Sequence, residues 1–431
     1  MMIGRCVAIL GLWVGSSLVA VGQYFNDFES PPHHYGRAAL GDPMTRFLAE
    51  VENGTRTLPE EVGLPLVKDL LEALKLDAAS QVLVFSKTSL QKSEISPGNP
   101  RALYFNEEVY LGWMPGGRIE LASFDPELGP VFYFQRPLQD EEGKPFVQTR
   151  SCLGCHAGNA TNFLPGSLSR SVYPDERGRT MDSVMDERMT GHGVPFAQRW
   201  GGWYVTGESG ALKHVGNRVA EQGAAGVQFK AAPVEDPKSL ERFFPVAEYA
   251  APGSDVVALL VFDHQITMHQ RLVEAGYRTR QALHDNGLEA DEVDREKLTA
   301  KSSRKEFEEG LEMVVDYLLF RGEVPLAKGV QGSGEFEKVF AQGRKAARDG
   351  TSLRDFRLEG RIFERRCSYM IYSPTFERLP AMLKEAVYGR LLEILSAEEG
   401  PEGFEYLEAE ERKGILRETK KDLPAAWRVE G

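Results

Sequence analysis

Cysteine is scarce in this chain. Four occur in 431 residues, at positions 6, 152, 155 and 367, and only three follow the apolar N-terminus. That count excludes the disulfide framework of a small secreted scaffold. Long hydrophobic runs are missing too: beyond roughly the first twenty positions no stretch is apolar enough to span a bilayer. Positive charge is in deficit, with a formal net charge of −13, which argues against nucleic acid as a partner because phosphates need clustered Lys and Arg. The local basic run Lys301 to Lys305 (KSSRK) reads as solvated helix surface. GxSxG, the P-loop, GxGxxG in a strand-helix setting and HExxH are all absent. Internal repeats and low-complexity tracts are also lacking.

What is present begins with the layout of a secretory signal peptide. One positive charge at Arg5 precedes the apolar stretch CVAILGLWVGSSLVAVG, and Ala20 and Gly22 sit where cleavage before Gln23 requires small residues. Residues 1–22 are therefore expected to be a signal peptide, with an uncleaved anchor as the alternative. Cys6 precedes the apolar core, which does not suit a lipoprotein anchor.

The rest predicts an α+β protein. Leucines spaced three and four apart in PLVKDLLEALKLD (65–77) predict an amphipathic helix. From Gln81 to Leu138, β-branched and aromatic runs are broken by SPGNP, PGG and DPELG, the signature of an antiparallel sheet. The polar turn QDEEGKP closes this strand-rich region (23–150). Residues 151–235 are rich in Gly, Pro, Asn and Arg and read as loops and short strands around the remaining cysteine pair. Helices dominate 236–431. The longest, SDVVALLVFDHQITMHQRLVEAGYRTRQALHDNG, is expected to be capped by its first serine and stopped at Asn-Gly. Others are expected at FEEGLEMVVDYLLF, FEKVFAQGRKAARDG, LPAMLKEAVYGRLLEILSAEE and AEERKGILRETKKDL.

The chemistry concentrates in CLGCH, Cys152 to His156. Two thiols three positions apart reach the two vinyl groups of one porphyrin, and the adjacent imidazole of His156 is then aimed at the iron. A redox dithiol would want a βαβ setting and would not call for the histidine, while a zinc site would want a further ligand pair at recognisable spacing, and no second CxxC or HxxxH occurs. One such motif means one covalent haem c per chain. Cys367 reads as a small buried apolar side chain.

The iron's second axial ligand stays open between several candidates. His264 and Met268 share a helix face with Val257, Val261 and Leu272, with His269 turned away from them; a buried histidine satisfied by neighbours is the alternative for His264. His214 (LKHVGN) and His192 (GHGVPF) lie in loop-like surroundings, and Met181, Met185 and Met189 are further candidates. Methionine would favour electron transfer, whereas an open position would admit a small gas or peroxide. Trp200 and Trp203 in RWGGWYVTG read as a tight structural turn, with stacking on a porphyrin edge as the alternative. Glu107 and Glu108 are neighbours on a strand pattern and do not make an acid/base pair.

Taken together, QVLVFSKTSLQKSEISPGNPRALYFNEEVYLGW, CLGCH, RWGGWYVTG, LVFDHQITMH and CSYMIYSPTFERLP resemble a group of uncharacterised bacterial proteins identified as cytochrome c domain-containing. The resemblance covers most of the chain after residue 22 and implies haem binding, metal binding and electron transfer at Cys152, Cys155 and His156. Such relatives tend to read VTGTHG where this chain has VTGESG, so Ser209 stands in place of a histidine. The expectation is an electron-transfer protein of the periplasm or exterior, serving an unidentified redox partner protein, without nucleic acid and without an integral membrane segment once the signal is removed. A haem-based small-ligand sensor and a peroxidase-like enzyme are the alternatives, and transfer is favoured over catalysis because no acid/base constellation accompanies the motif.

Overall fold

The computed structural model describes residues 27–136, 145–181, 190–224, 226–347 and 350–419. The expected signal peptide, Met185, Met189 and nearly all of the QDEEGKP turn lie outside the described residues.

Two short helices come first, α1 (Pro43–Glu52) and α2 (Leu64–Ala73). Asp42 caps α1 by accepting from the amides of Met44 and Thr45, with proline at the first helical position. Helix α2 stops before the predicted Asp77: Lys75 turns left-handed (φ +55°), and the Leu76 amide reaches back to the Leu71 carbonyl. Six strands follow: β1 (Val82–Val84), β2 (Arg101–Phe105), β3 (Val109–Trp113), β4 (Glu120–Asp125), β5 (Gly129–Gln135) and β6 (Phe146–Gln148). They pair antiparallel in simple sequence order, as turn-separated alternating runs do.

Alternation along these strands divides the sheet between two cores. Leu83, Tyr104, Leu111, Leu121 and Tyr133 point to α1 and α2, whose Phe47, Leu66 and Leu70 complete one cluster. Val84, Phe105, Tyr110 and Phe124 point the other way, into a larger cluster built around the long helix α4 (Val256–Asp285). The α+β class is thus realised as a sheet between a helical pair and a helical body. Between β6 and α4 lie a single helical turn, α3 (Leu153–His156), the loops expected there, and one hairpin, β7 (Ala220–Gly223) with β8 (Gly226–Phe229).

Helix α4 is buried along nearly its whole length, apolar on all sides over Val256–Phe262. Its cap is Asp255, one residue later than the expected Ser254, because the Asp255 carboxylate accepts from Val257 and Ala258 while the Ser254 hydroxyl is spent on the Tyr204 carbonyl. Helix α5 (Lys301–Leu318) begins six residues before the predicted FEEG start and packs against α4, closely where Gly310 faces Ala275. Helix α6 (Glu335–Gln342) ends at Gly343, short of its expected length. The fold closes with α7 (Pro374–Glu377), α8 (Ala381–Ser396) and α9 (Ala409–Thr419). No helix among the described residues is long and apolar enough to cross a membrane.

Candidate functional site

The CLGCH segment forms the single turn α3. The amides of Cys155 and His156 both return to the Cys152 carbonyl, at 3.1 and 2.9 Å, so the two thiols leave one side of one turn with the imidazole directly after them. Both thiols are free; Cys155 is exposed and Cys152 partly covered.

After the turn the chain loops back on itself. Asn162 and Phe163 adopt positive φ, and residues 156 and 166 then meet in two hydrogen bonds: the Gly166 amide donates to the His156 carbonyl at 2.8 Å, and His156 Nδ1 donates to the Gly166 carbonyl at 2.9 Å. A carbonyl only accepts, so Nδ1 carries the proton and Nε2 presents a lone pair, with no hydrogen-bond partner among the described residues. Burial, offset in part by that hydrogen bond, lowers the His156 pKa to about 4, which keeps the ring neutral and fit to ligate. Phe132 of β5 holds the other side of the imidazole, with ring centroids 4.8 Å apart.

Three contacts fasten this loop to α4. The Asn162 amide donates to Glu274 at 2.8 Å, Gln270 donates to the Thr161 carbonyl at 3.2 Å, and the Ser167 hydroxyl donates to the Ile266 carbonyl at 3.1 Å. A Cβ at Gly166 would overlap the Gln270 Oε1, so a larger residue there would have to displace the Gln270 side chain. Beside the turn, the sheet face offers the partly exposed apolar side chains Leu103, Ala122 and Phe134, and the Arg101–Glu120 ion pair at 2.8 Å. Gly166, Gln270 and Phe132 were not singled out from sequence; the one local signal was the glycine in NFLPGS, indistinguishable there from a turn.

The three readings of the motif ask different things of these residues. Burial raises the Cys152 pKa to about 11, the opposite of an activated redox thiolate, and among the described residues no βαβ unit surrounds it. Among the described residues no three His, Cys, Asp or Glu side chains converge as metal ligands, so the two cysteines and His156 do not gather on one point as zinc would need. Haem c asks for something else: two thiols directed at two edges of a ring and an imidazole lone pair directed at its centre. A pinned imidazole with free Nε2 next to two unpaired thiols and an apolar sheet face fits that requirement.

The candidate axial partners lie elsewhere. The 161–167 stretch touches the α4 face carrying Ile266, Gln270 and Glu274, whereas His264 and Met268 lie roughly opposite, at about 100° per residue. His264 meets His192 instead, Nδ1 to Nδ1 at 3.0 Å, and the two rings stack with Tyr317 and Phe320. The proton positions follow from the partners. His192 Nε2 donates to the Arg321 carbonyl at 3.4 Å, its Nδ1 then accepts from His264 Nδ1, and His264 Nε2 accepts the Ser368 hydroxyl at 2.7 Å. Burial drives both pKa values down, His192 to about 3, consistent with a neutral pair.

His214 accepts the Gly216 amide on Nδ1 and donates from Nε2 to Ser209, both at 3.0 Å. His269 points at the sheet, bonding the Tyr110 hydroxyl and the Glu107 carbonyl. Met268 is buried in the helical core, and Met181 is exposed near β7 and β8, on a segment whose amide bonds Tyr173. Trp200, at φ +70°, and Trp203 are buried and donate to Asp263 and to the Arg170 carbonyl, the structural role expected of that turn. Cys367 is fully buried, and burial pushes its thiol up. No protein-family model, no curated protein and no solved structure matches the chain.

Proposed function

We propose that this chain is an exported c-type cytochrome that carries one covalent haem and transfers electrons in the periplasm or outside the cell, to or from a partner protein. The observation that carries this reading is the His156 imidazole, held by the Gly166 carbonyl so that Nε2 is unprotonated and unpartnered beside the Cys152 and Cys155 thiols. Cys152 and Cys155 would hold the haem through thioethers, each thiol adding its sulfur and hydrogen across one vinyl group so that no oxidant is needed, and His156 Nε2 would face the iron; the group would supply one-electron chemistry when bound.

The protein's own work is positional. The 156–166 hydrogen-bond pair fixes the ring and its tautomer, as a second-shell carbonyl does for metal-bound histidines generally. The loop's ties to Glu274, Gln270 and Ile266 place that ring on the longest helix of the fold, and the sheet face of Leu103, Ala122 and Phe134 offers an apolar wall. Low polarity around such a site is one determinant of its reduction potential.

One observation favours a second reading, a haem-based binder of small gases or peroxide. His192, His214, His264 and His269 have both ring nitrogens engaged, so none of the four offers a free lone pair as the iron's second axial ligand. Spectra of ferric and ferrous protein with and without carbon monoxide discriminate. Electron transfer predicts a six-coordinate ferrous spectrum that carbon monoxide leaves unchanged; rapid conversion to a carbonyl complex contradicts it and supports the sensor.

A further inference from the structure

Charge around the CLGCH turn does not balance. Arg101 and Arg170 both lie near enough to His156 for their positive charge to act on its ring, and one carboxylate, Glu120, acts against them. Glu120 is fully engaged: it takes Arg101 Nη1 at 2.8 Å, the Ser89 hydroxyl at 2.9 Å and the Gln91 side-chain amide at 3.0 Å. Arg150, just ahead of the motif, is matched by Glu29. Arg170 is left without a carboxylate or a side-chain hydrogen-bond partner among the described residues, and its Nε is buried and unpaired.

The backbone holds Arg170 in place. Its carbonyl accepts Trp203 Nε1 at 2.8 Å, and the residues just before it are fastened through Gly166 to His156 and through Ser167 to α4. Its side chain is half-buried, so the buried Nε carries a desolvation cost that an oxyanion beside it would recover. A haem seated on His156 brings such oxyanions, because the porphyrin carries two propionate carboxylates along one edge. In a chain of net charge −13, added carboxylates call for a cation that no residue of the chain has already taken.

From these observations we propose that Arg170 binds one propionate carboxylate of the haem through paired guanidinium hydrogen bonds, Nε among the donors, and so fixes how the ring is turned about His156. This inference rests on the haem reading and adds to it a third kind of contact beside the thioethers and the axial imidazole. Arg101 contributes its field from beside the site, its own hydrogen bond being given to Glu120. The Arg170 charge also has a consequence for the iron: a nearby cation opposes the extra positive charge of the ferric state.

The test uses the full chain exported and matured with haem, native and R170Q, read by intact mass, by redox titration and by resonance Raman spectroscopy of the propionate bending band. In R170Q the ferrous-to-ferric ratio at a fixed ambient potential is expected to fall about tenfold, which is about 59 mV for one electron. The propionate band is expected to shift, because a charge-assisted pair has been removed. R170K separates charge from paired hydrogen bonding and serves should R170Q fail to mature: the ratio is expected to stay within about twofold of native while the band still shifts. A merely structural role would instead lower the urea midpoint and leave the band in place. An unmoved band in either variant overturns the proposal, as does a native potential in R170Q. Native protein at its bare polypeptide mass removes the haem reading and this inference with it, whereas haem-loaded variants with native band and potential remove this inference alone.

Discussion

Two groups of histidines in this protein are built in opposite ways. His156 sits on a loop-borne turn with one nitrogen fixed by a carbonyl and the other unspent. His192 and His264 sit in the helical core with all four nitrogens engaged, linked to each other, to Ser368 and to the Arg321 carbonyl. Burial alone therefore does not mark a ligand; the core pair is the more buried and the less available. What distinguishes the site is an unfilled valence held in a fixed direction beside two thiols.

The sharpest way to break this contrast is to delete one ring from each group. With haem attached through the cysteines, His156→Ala is expected to lose the native axial ligation and alter the optical spectrum and midpoint potential outright. His192→Ala is expected to leave both unchanged. Equal spectral effects would erase the distinction.

Acid titration probes the same contrast on the side of stability. His33, His192, His214, His264 and His269 all have pKa values lowered by burial, to about 3 for His33, His192 and His269 and about 4 for His214. A depressed folded pKa means that the unfolded chain takes up the proton first, so their contribution is complete above pH 6.5 and is lost as the pH falls below it. Each such imidazole is worth up to about 1.4 kcal/mol per pH unit in that window. Five carboxyls act in the opposite sense: burial raises Asp263 to about 6 and Glu323 to about 7 and also raises Glu108, Glu337 and Glu418, so these favour folding at low pH and lose that contribution as the pH rises through their folded values. Within this interval the five imidazoles, which protonate near pH 6.5 in the unfolded chain, outweigh the carboxyls, and the urea midpoint is expected to fall by an amount worth several kcal/mol between pH 7 and pH 5. A midpoint that rises over this interval would show that the core rings are not neutral.

A smaller effect is expected from His264→Ala. It empties a fully buried position and strands His192 Nδ1, at a cost of about 3 kcal/mol by chemical denaturation, with the haem spectrum intact.

The same contrast explains what could be read without coordinates. CLGCH is legible because its two cysteines and histidine are contiguous in the chain, and the sheet is legible because alternation and turn residues are local. The helical period puts His264 on an inward face, where it is buried, but its partner His192 is 72 residues away. Sequence spacing carries no trace of that hydrogen bond. Gly166, Phe132 and Gln270, which hold the ring of His156, come from three separate segments and act through contacts made only on folding. Helix α4 is buried on every side at its start, so its apolar pattern could not say which face met the loop after CLGCH. Cap positions shifted for equally local reasons, as Asp255 and Lys75 show.

The central claim rests on covalent attachment, and intact-mass spectrometry of protein matured by a host with a cytochrome c export apparatus tests it most directly. The account predicts the mass of one haem added to the mature chain, lost in C152A/C155A. Native chain exported and folded at its bare polypeptide mass would contradict it.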